Sequence, residues 1–540
     1  MTHSVNNAYR TPNGANMPTI TSLTTSRTDQ KDNLCRLEIL PNEFWWGGAV
    51  NDGVKMPFGP SYNRDLRRDH GGNQASPLLL SSYGRYIWSN EPFAVCIEDE
   101  GDRLNIELEG SHFISGQGCD NLAGAFRAAS ARFFPASGQM PDPLNFSAPQ
   151  YNSWIEMQYE PTQEKILRYA REILENGLPP GVLMIDDNWF EDHGNWRFDP
   201  LRFPDPAEMV RSLHADGFAV VLWVSPFISP DSAVFRSLSA RNLLVRNAEG
   251  TSAVREWWNG HSALLDVTHP DGIAWMHIQL DSLTAAFGID GYKFDAGDPE
   301  FVKPSDITYG SVSPSGYCQA WAEIGLQYSR FNEYRACWKL GGQPLVQRLR
   351  DKLHAWGTNG LADIIPNGIA HGLAGYSFIC PDMVGGGDIG SFTDPEFLFD
   401  QELFVRTLQC SILFPIVQFS LAPWRVLDAT HWNYCQDAIR TRRNLTGRIL
   451  DLAASSASTG EPIVRHMAYV FPDAGLEQVK DQFMLGDRIL VAPVTAQGAL
   501  SRTVRFPSGT WTGTDGDTVV GPCSRDVPAP LSSLPWYVAN

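Results

Sequence analysis

Apolar and polar positions fall into three successive rhythms along this chain. From Cys35 to about Ser147, short apolar runs are punctuated by Gly, Pro and Asn. FWWGGAV, RYIWS, FAVCIED and RLNIELEG read as strands, the last alternating at Leu104, Ile106 and Leu108. From about Gln150 the pattern becomes strand, loop, helix. YNSWIEM, GVLMIDDNW, AVVLWVSPFI and IDGYKFD carry strand patterns, and three helical patterns separate them: TQEKILRYAREILENGLP, PAEMVRSLHADGF and GIAWMHIQLDSLTAAFG. In the first of these Thr162 is the expected N-cap, Ile166, Ala170, Ile173 and Leu174 make one face, and Gly177 ends the helix. βα units in succession predict parallel strands joined by crossover helices. GYSFICPD and FPIVQFS supply later strands. PIVRHMAYVF either finishes that sheet or begins the next domain. From about Gln482 the chain is all-β, in QFMLGDRILVAPVT, SRTVRFPSGTWTG and DGDTVVGP.

The expected architecture is α/β. A (β/α)8 TIM barrel occupies residues 149–458, an N-terminal β-sandwich 35–148 and a C-terminal β-sandwich domain 459–540. Residues 1–34 are rich in Asn, Thr and Ser and are expected to form a disordered tail.

Composition narrows the function. Hydrophobic residues make up 43% and charged residues 19%, which describes a globular protein with an ample core. A net charge of −19 without a basic run argues against nucleic acid, whose phosphates need clustered Lys and Arg. Nine scattered cysteines without C-x-x-C pairs argue against a zinc site or a disulfide framework. The N-terminus has no apolar signal core, and no run of eighteen apolar residues occurs. A soluble, cytoplasmic protein without a membrane partner is therefore expected. A homo-oligomer is compatible with the chain.

The strands of the middle section finish in polar residues: Asp186 and Asp187, Ser225, Asp295, Asp382. Barrel active sites are built at strand C-termini. Helix N-capping is the plain alternative for any single aspartate. In GIDGYKFDAGD, Lys293 and Asp295 share one face of a strand and Tyr292 and Phe294 the other. A neighbouring ammonium favours an ionised carboxylate, so Asp295 suits a nucleophile. Asp382 has no adjacent cation in the sequence and suits a general acid. Two such carboxylates across a barrel mouth fit glycoside hydrolysis. Trp223 reads equally well as core and as pocket floor, and Trp258 as packing and as a sugar platform. Trp424 and Arg425 are candidates for the pocket wall, with a structural ion pair equally credible for Arg425.

GIDGYKFDAGD resembles the nucleophile strand of glycoside hydrolase family 31, and FICPDMVGGG resembles that family's acid/base loop. VLMIDDNWFEDHGNWRFDPLRFPDP, VREWWNGHSALLDVTHP and GEPIVRHMAYVFPDAGLEQVKDQFMLGDRILVAPV are similar to further family segments, in the family's order. The resemblance implies retaining hydrolysis of α-glycosides, with Asp295 as nucleophile, Asp382 as acid/base and no metal or organic cofactor. It implies that Asp186 and Asp187 bind sugar hydroxyls; strand alternation allows only one inward, unless the strand has ended. Lys293 matches the family's lysine. Arg348 resembles an arginine before the acid/base, with Arg350 the neighbour that could replace it. IDDNW, KFDAGD and PDMVGGG resemble the branch containing the myogenesis-regulating glycosidase. That branch points to an α-galactoside first and an α-glucoside second, with a small-molecule or oligosaccharide substrate as the expected partner; a transglycosylase using the same two carboxylates, or a non-catalytic carbohydrate-binding protein of the same fold, is the alternative.

Overall fold

The computed structural model describes residues 34–101 and 103–540. The tail expected at residues 1–34 lies, but for its last residue, outside the described residues. Eight parallel strands form the centre: β1 (Gln150–Asn152), β2 (Val182–Ile185), β3 (Ala219–Val224), β4 (Gly291–Phe294), β5 (Asn332–Tyr334), β6 (Gln347–Arg348), β7 (Ile379–Cys380) and β8 (Gln418–Phe419). Neighbours in sequence are neighbours in the sheet from β1 to β7. Closure is made by a split seventh strand. β7 pairs with β6, the chain breaks at Pro381–Asp382, and its continuation Met383–Val384 pairs with β8, which pairs with β1.

Seven helices connect and cover these strands: α1 (Gln163–Glu175), α2 (Pro206–Ala215), α3 (Pro270–Phe287), α4 (Pro314–Ile324), α5 (Leu361–Leu373), α6 (Gln401–Ser411) and α7 (Ala429–Thr459). α1 follows its sequence pattern closely. The Thr162 side chain accepts from the Lys165 N–H, and Ile166, Ala170 and Ile173 are buried. Gly177 takes the left-handed conformation (φ 76°) just beyond the helix end. Between β5 and β6 there is no helix. The chain there pairs instead with the N-terminal region, through a parallel bridge from Trp338 to Ala75.

Several strands are shorter than their apolar runs. YNSWIEM is a strand only to Asn152, and Trp154–Met157 is a helical turn that the Asn152 side chain starts by accepting from the Trp154 N–H. AVVLWVSPFI splits after Val224, and Phe227–Ile228 joins a separate three-stranded antiparallel sheet with Val254–Trp257 and Gly260–Leu264.

The N-terminal region holds two four-stranded antiparallel sheets, with strand orders Leu34–Ile39, Leu104–Glu109, Ala94–Asp99, Asn63–Asp65 and Trp45–Ala49, Ala75–Ser81, Arg85–Ser89, Phe113–Gln117. The C-terminal region is one six-stranded sheet with its own core around Phe506, Trp511 and Tyr537. Val464–Arg465 is the first strand of that sheet, so PIVRHMAYVF opens the C-terminal domain rather than closing the barrel.

Inside the barrel, Val182, Met184, Ala219 and Val221 belong to a small apolar cluster. Closer to the strand C-termini the buried side chains are ionic. Lys293 and Glu333 stand opposite one another across β4 and β5, and Gln418 donates to Glu333 at 2.6 Å. Charges in such a place persist only when paired, and their pairing builds the site.

Candidate active site

The strand C-termini open into a crater of about 570 Å³. Asp186, Asp187, Trp223, Lys293, Asp295 and Arg335 line it from the barrel, with Arg350 and Asp351 beyond β6. Asn51, Arg64, Asp69, Gly71 and Gly72 close it from the N-terminal region.

Asp295 lies just past β4, followed by two left-handed residues, Ala296 (φ 56°) and Gly297 (φ 75°). That sharp turn brings the Ala296 N–H to Asp295 Oδ1 at 2.8 Å. Trp223 Nε1 donates to Oδ2 at 3.0 Å, and Arg335 Nε donates to Oδ1 at 2.9 Å. Burial by itself pushes this carboxyl up. The charges of Arg335, Lys293 and Arg348 outweigh burial and hold it well below the usual carboxylate range. Asp295 is therefore an ionised, oriented carboxylate at the crater floor.

Lys293 was expected to sit against Asp295. Its ammonium instead bonds Asp186 Oδ2 at 2.6 Å and acts on Asp295 only through space. The direct cation is Arg335, which also grips Asp298 with Nη1 (2.9 Å) and Nη2 (2.6 Å). Burial raises the Asp186 carboxyl against the pull of Lys293. Asp187 lines the crater too, because β2 has already ended at Ile185 and alternation no longer applies. It accepts from Asn259 Nδ2 at 2.5 Å and lies 3.4 Å from His193 Nε2. Trp258 and Asn259 form the turn between Val254–Trp257 and Gly260–Leu264, which hangs Trp258 over the opening, 46% exposed. The Arg335 guanidinium lies 5.5 Å from the centre of its ring.

Three residues singled out in the sequence lie off the crater wall. Asp382 sits in the break of the seventh strand with φ 88°, and is 1% exposed. Its Oδ1 accepts from Arg348 Nη1 and its Oδ2 from the Lys352 N–H, both at 2.7 Å. Burial pushes its carboxyl up to about 7, against the pull of Arg348. Arg348 is equally buried. Its Nε donates to Glu333 at 3.0 Å, and its Nη1 is shared at 2.7 Å between Asp382 and Asp351. Trp424 is remote from the crater. It packs beside Tyr169 and Trp432 and donates to Glu172 of α1 at 3.2 Å, because its segment lies outside the barrel wall. Arg425 makes the structural ion pair, with Glu156 at 2.8 Å.

Sequence reasoning missed Arg335 and Asp351. Arg335 stands one residue past β5, whose inward position is Glu333, so no apolar run marks that strand. Asp351 lies in the polar run RLRDK, next to the arginines that were noticed. Its side chain is 35% exposed at the crater wall.

Fold and site together define a (β/α)8 barrel whose strand ends hold an ionised aspartate among paired carboxylates, arginines and tryptophans. The Glycosyl hydrolases family 31 TIM-barrel domain model matches residues 140–337, and the Glycosyl hydrolase family 31 C-terminal domain model matches residues 460–540. The chain belongs to glycoside hydrolase family 31. It is 32% identical over 392 residues to the myogenesis-regulating glycosidase of Mus musculus, covering 70% of this chain and 54% of that protein. It is 25% identical over 432 residues to an alpha-xylosidase of Saccharolobus solfataricus, covering 72% of this chain and 54% of that one. The chain spans about half the length of the curated relatives it matches. In fold it is similar to a family 31 dextranase of Flavobacterium johnsoniae solved with glucose, with a TM-score of 0.83 at 19% identity, covering 95% of this chain and 67% of that one. Among the described residues no helix is long and apolar enough to cross a membrane.

Proposed function

We propose that this chain is a retaining α-glycosidase acting on terminal α-linked sugars of small glycosides or oligosaccharides. The observation that carries this reading is Asp295, buried yet facing the crater and held ionised by Arg335. Asp295 attacks the anomeric carbon while an acid protonates the leaving oxygen. A glycosyl ester forms on Asp295, and water then displaces it with the same acid acting as base. Asp186, Asp187 and Lys293 hold sugar hydroxyls, and Trp258 offers an aromatic face. α-Galactoside is the first substrate class in this reading, on the resemblance of the IDDNW, KFDAGD and PDMVGGG motifs, and α-glucoside the second.

The acid in this reading is Asp351. It lines the crater, whereas Asp382 is sealed behind Arg348 with both oxygens engaged. Asp382 fixes Arg348, and Arg348 orients Asp351. A second reading keeps Asp382 as the acid and is favoured by one observation, its carboxyl pushed up to about 7. Leaving-group dependence separates the two. Loss of the true acid slows poor leaving groups by about 100-fold or more and spares activated aryl ones. Asp351→Asn is expected to show that split, with azide restoring turnover as a glycosyl azide. Asp382→Asn is expected to slow both kinds of substrate alike. The reverse pattern assigns the acid to Asp382. The class itself is tested with p-nitrophenyl α- and β-glycosides of galactose, glucose and xylose. Turnover of one α-glycoside, abolished by Asp295→Asn, supports it; turnover of β-glycosides alone contradicts it.

A further inference from the structure

Residues 71–75 lead into the N-terminal strand Ala75–Ser81 and cross the ends of β5 and β6, and Gly72 to Ala75 each make a polar contact there. Gly72 O accepts from Arg335 Nη1 at 2.7 Å. Asn73 Oδ1 accepts from the Arg350 N–H at 2.7 Å. Gln74 Nε2 donates to Tyr334 O at 3.2 Å and Arg348 O at 2.9 Å, and its Oε1 meets His371 Nε2 at 2.6 Å. The Ala75 N–H donates to Cys337 O at 2.9 Å, and Ala75 O accepts from the Lys339 N–H at 3.1 Å. Asn73 and Gln74 are fully buried. The contacts fall at the ends of β5 and β6, on the helix-free connection between them, and on His371 of α5.

Packing between domains would explain backbone contacts of this kind, but not where Gly72 lands. Its carbonyl meets the guanidinium that holds Asp295. Arg335 Nη1 is shared between Asp298 Oδ1 and Gly72 O, and Nη2 binds Asp298 Oδ2, which leaves Nε aimed at Asp295. Gly72 is left-handed (φ 66°), and a Cβ there would lie 3.4 Å from Arg335 Nη1 and 3.6 Å from Arg350 Nη1. Those are ordinary contact distances, so it is the left-handed backbone, not lack of space, that favours glycine here.

We propose that residues 71–75 are a positioning segment for the nucleophile, with the Gly72 carbonyl fixing the plane of Arg335 and Arg335 orienting Asp295. The N-terminal region is thereby part of the catalytic apparatus rather than an appended lobe. The inference rests on Asp295 being the nucleophile.

Two variants test it. Gly72→Ala strains the left-handed backbone that sets the Gly72 carbonyl on Arg335; Gln74→Met keeps the volume and removes the side-chain bonds that hold the segment down. Arg36→Ala, on the outer sheet of the same region, is the control. In crystals of Gly72→Ala the Arg335 Nε–Asp295 Oδ1 contact is expected to lengthen beyond hydrogen-bond distance. The acidic limb of kcat/KM is expected to rise by about one pH unit in Gly72→Ala and less in Gln74→Met, with no change in the control. A merely structural role lowers the melting temperature and leaves the limb in place. An unchanged contact with an unchanged limb overturns the proposal. Should Gly72→Ala fail to fold, Gln74→Met alone decides it by the same two readings. Absence of turnover in the unaltered protein defeats the glycosidase reading, while the crystal comparison still decides whether the segment positions Arg335.

Discussion

Asp295 owes its charge chiefly to an arginine forty residues further along the chain, not to the lysine two residues before it. Lys293 is occupied by Asp186, and Arg335 makes the bond to Asp295. Removing Arg335 therefore raises the Asp295 carboxyl toward its ordinary range, with Lys293 and Arg348 still holding it down. Activity needs the ionised form, so the acidic limb of kcat/KM moves to higher pH in Arg335→Gln, by about two units. A limb that stays in place in this variant assigns the charge to Lys293 and Arg348 instead. The carboxylates Asp186, Asp187 and Asp295 were legible because each follows an apolar run that marks a strand. Arg335 was not, since its strand carries Asn332 and Glu333 and hides the pattern. Asp382 was read as a crater residue because it follows the apolar run SFICP, where a strand end is expected to face the barrel mouth. The split of the seventh strand turns it inward instead, onto Arg348.

At the scale of elements, the turn after β4 and the break in β7 are what aim the site. Ala296 and Gly297 are both left-handed, and a Cβ on Gly297 would lie 2.3 Å from the Trp321 ring. Gly297→Ala is expected to cost on the order of 3 kcal/mol in urea unfolding, from steric clash and strain together. It also displaces Asp298, and with it Arg335, so activity falls further than stability. Unaltered stability would mean that the turn rearranges at little cost. β1 to β4, β7 and β8 were visible as apolar runs, although Ser153, Asp186 and Ser225 ended three of them early. β5 and β6 were invisible, because their buried side chains are Glu333, Gln347 and Arg348, which look like surface residues until their partners are known. The absence of a helix after β5 has the same root: its place is taken by Ala75, a contact between positions more than two hundred residues apart.

Across the whole molecule, three buried histidines sit where the N-terminal region meets the rest. His70 bonds Ser315 and stacks on Trp338, His371 meets Gln74, and His466 packs edge-on against Trp46. Burial pulls them down to about 4, about 3 and about 4. Their folded values lie below the unfolded value of 6.5, so the unfolded chain binds more protons once the pH drops beneath it. The stability they permit is complete above 6.5 and is lost as pH falls toward those folded values, by about 1.4 kcal/mol per pH unit for each histidine. Asp382, raised to about 7, opposes this with the reverse sign, and so do Asp186 and Glu333, which burial also raises. The three histidines set a loss between about pH 6.5 and pH 5 that the raised carboxyls offset in part. Urea midpoints taken across that window should fall with the pH; constant or rising midpoints would contradict the account. The order of the domains was readable from the three rhythms of the chain. Their joints were not, since Gln74, His70 and His466 carry no local pattern that names a distant partner.

The most direct test of the central claim is to trap the glycosyl-enzyme. The protein is incubated with a fluorinated α-galactosyl fluoride, which forms the ester faster than it is hydrolysed, and the peptides are mapped by mass spectrometry. The account predicts one added fluoroglycosyl unit, on Asp295 in GIDGYKFDAGD, and none in Asp295→Asn. A label on another residue, or steady turnover of α-galactosides with inversion and no label, would contradict it.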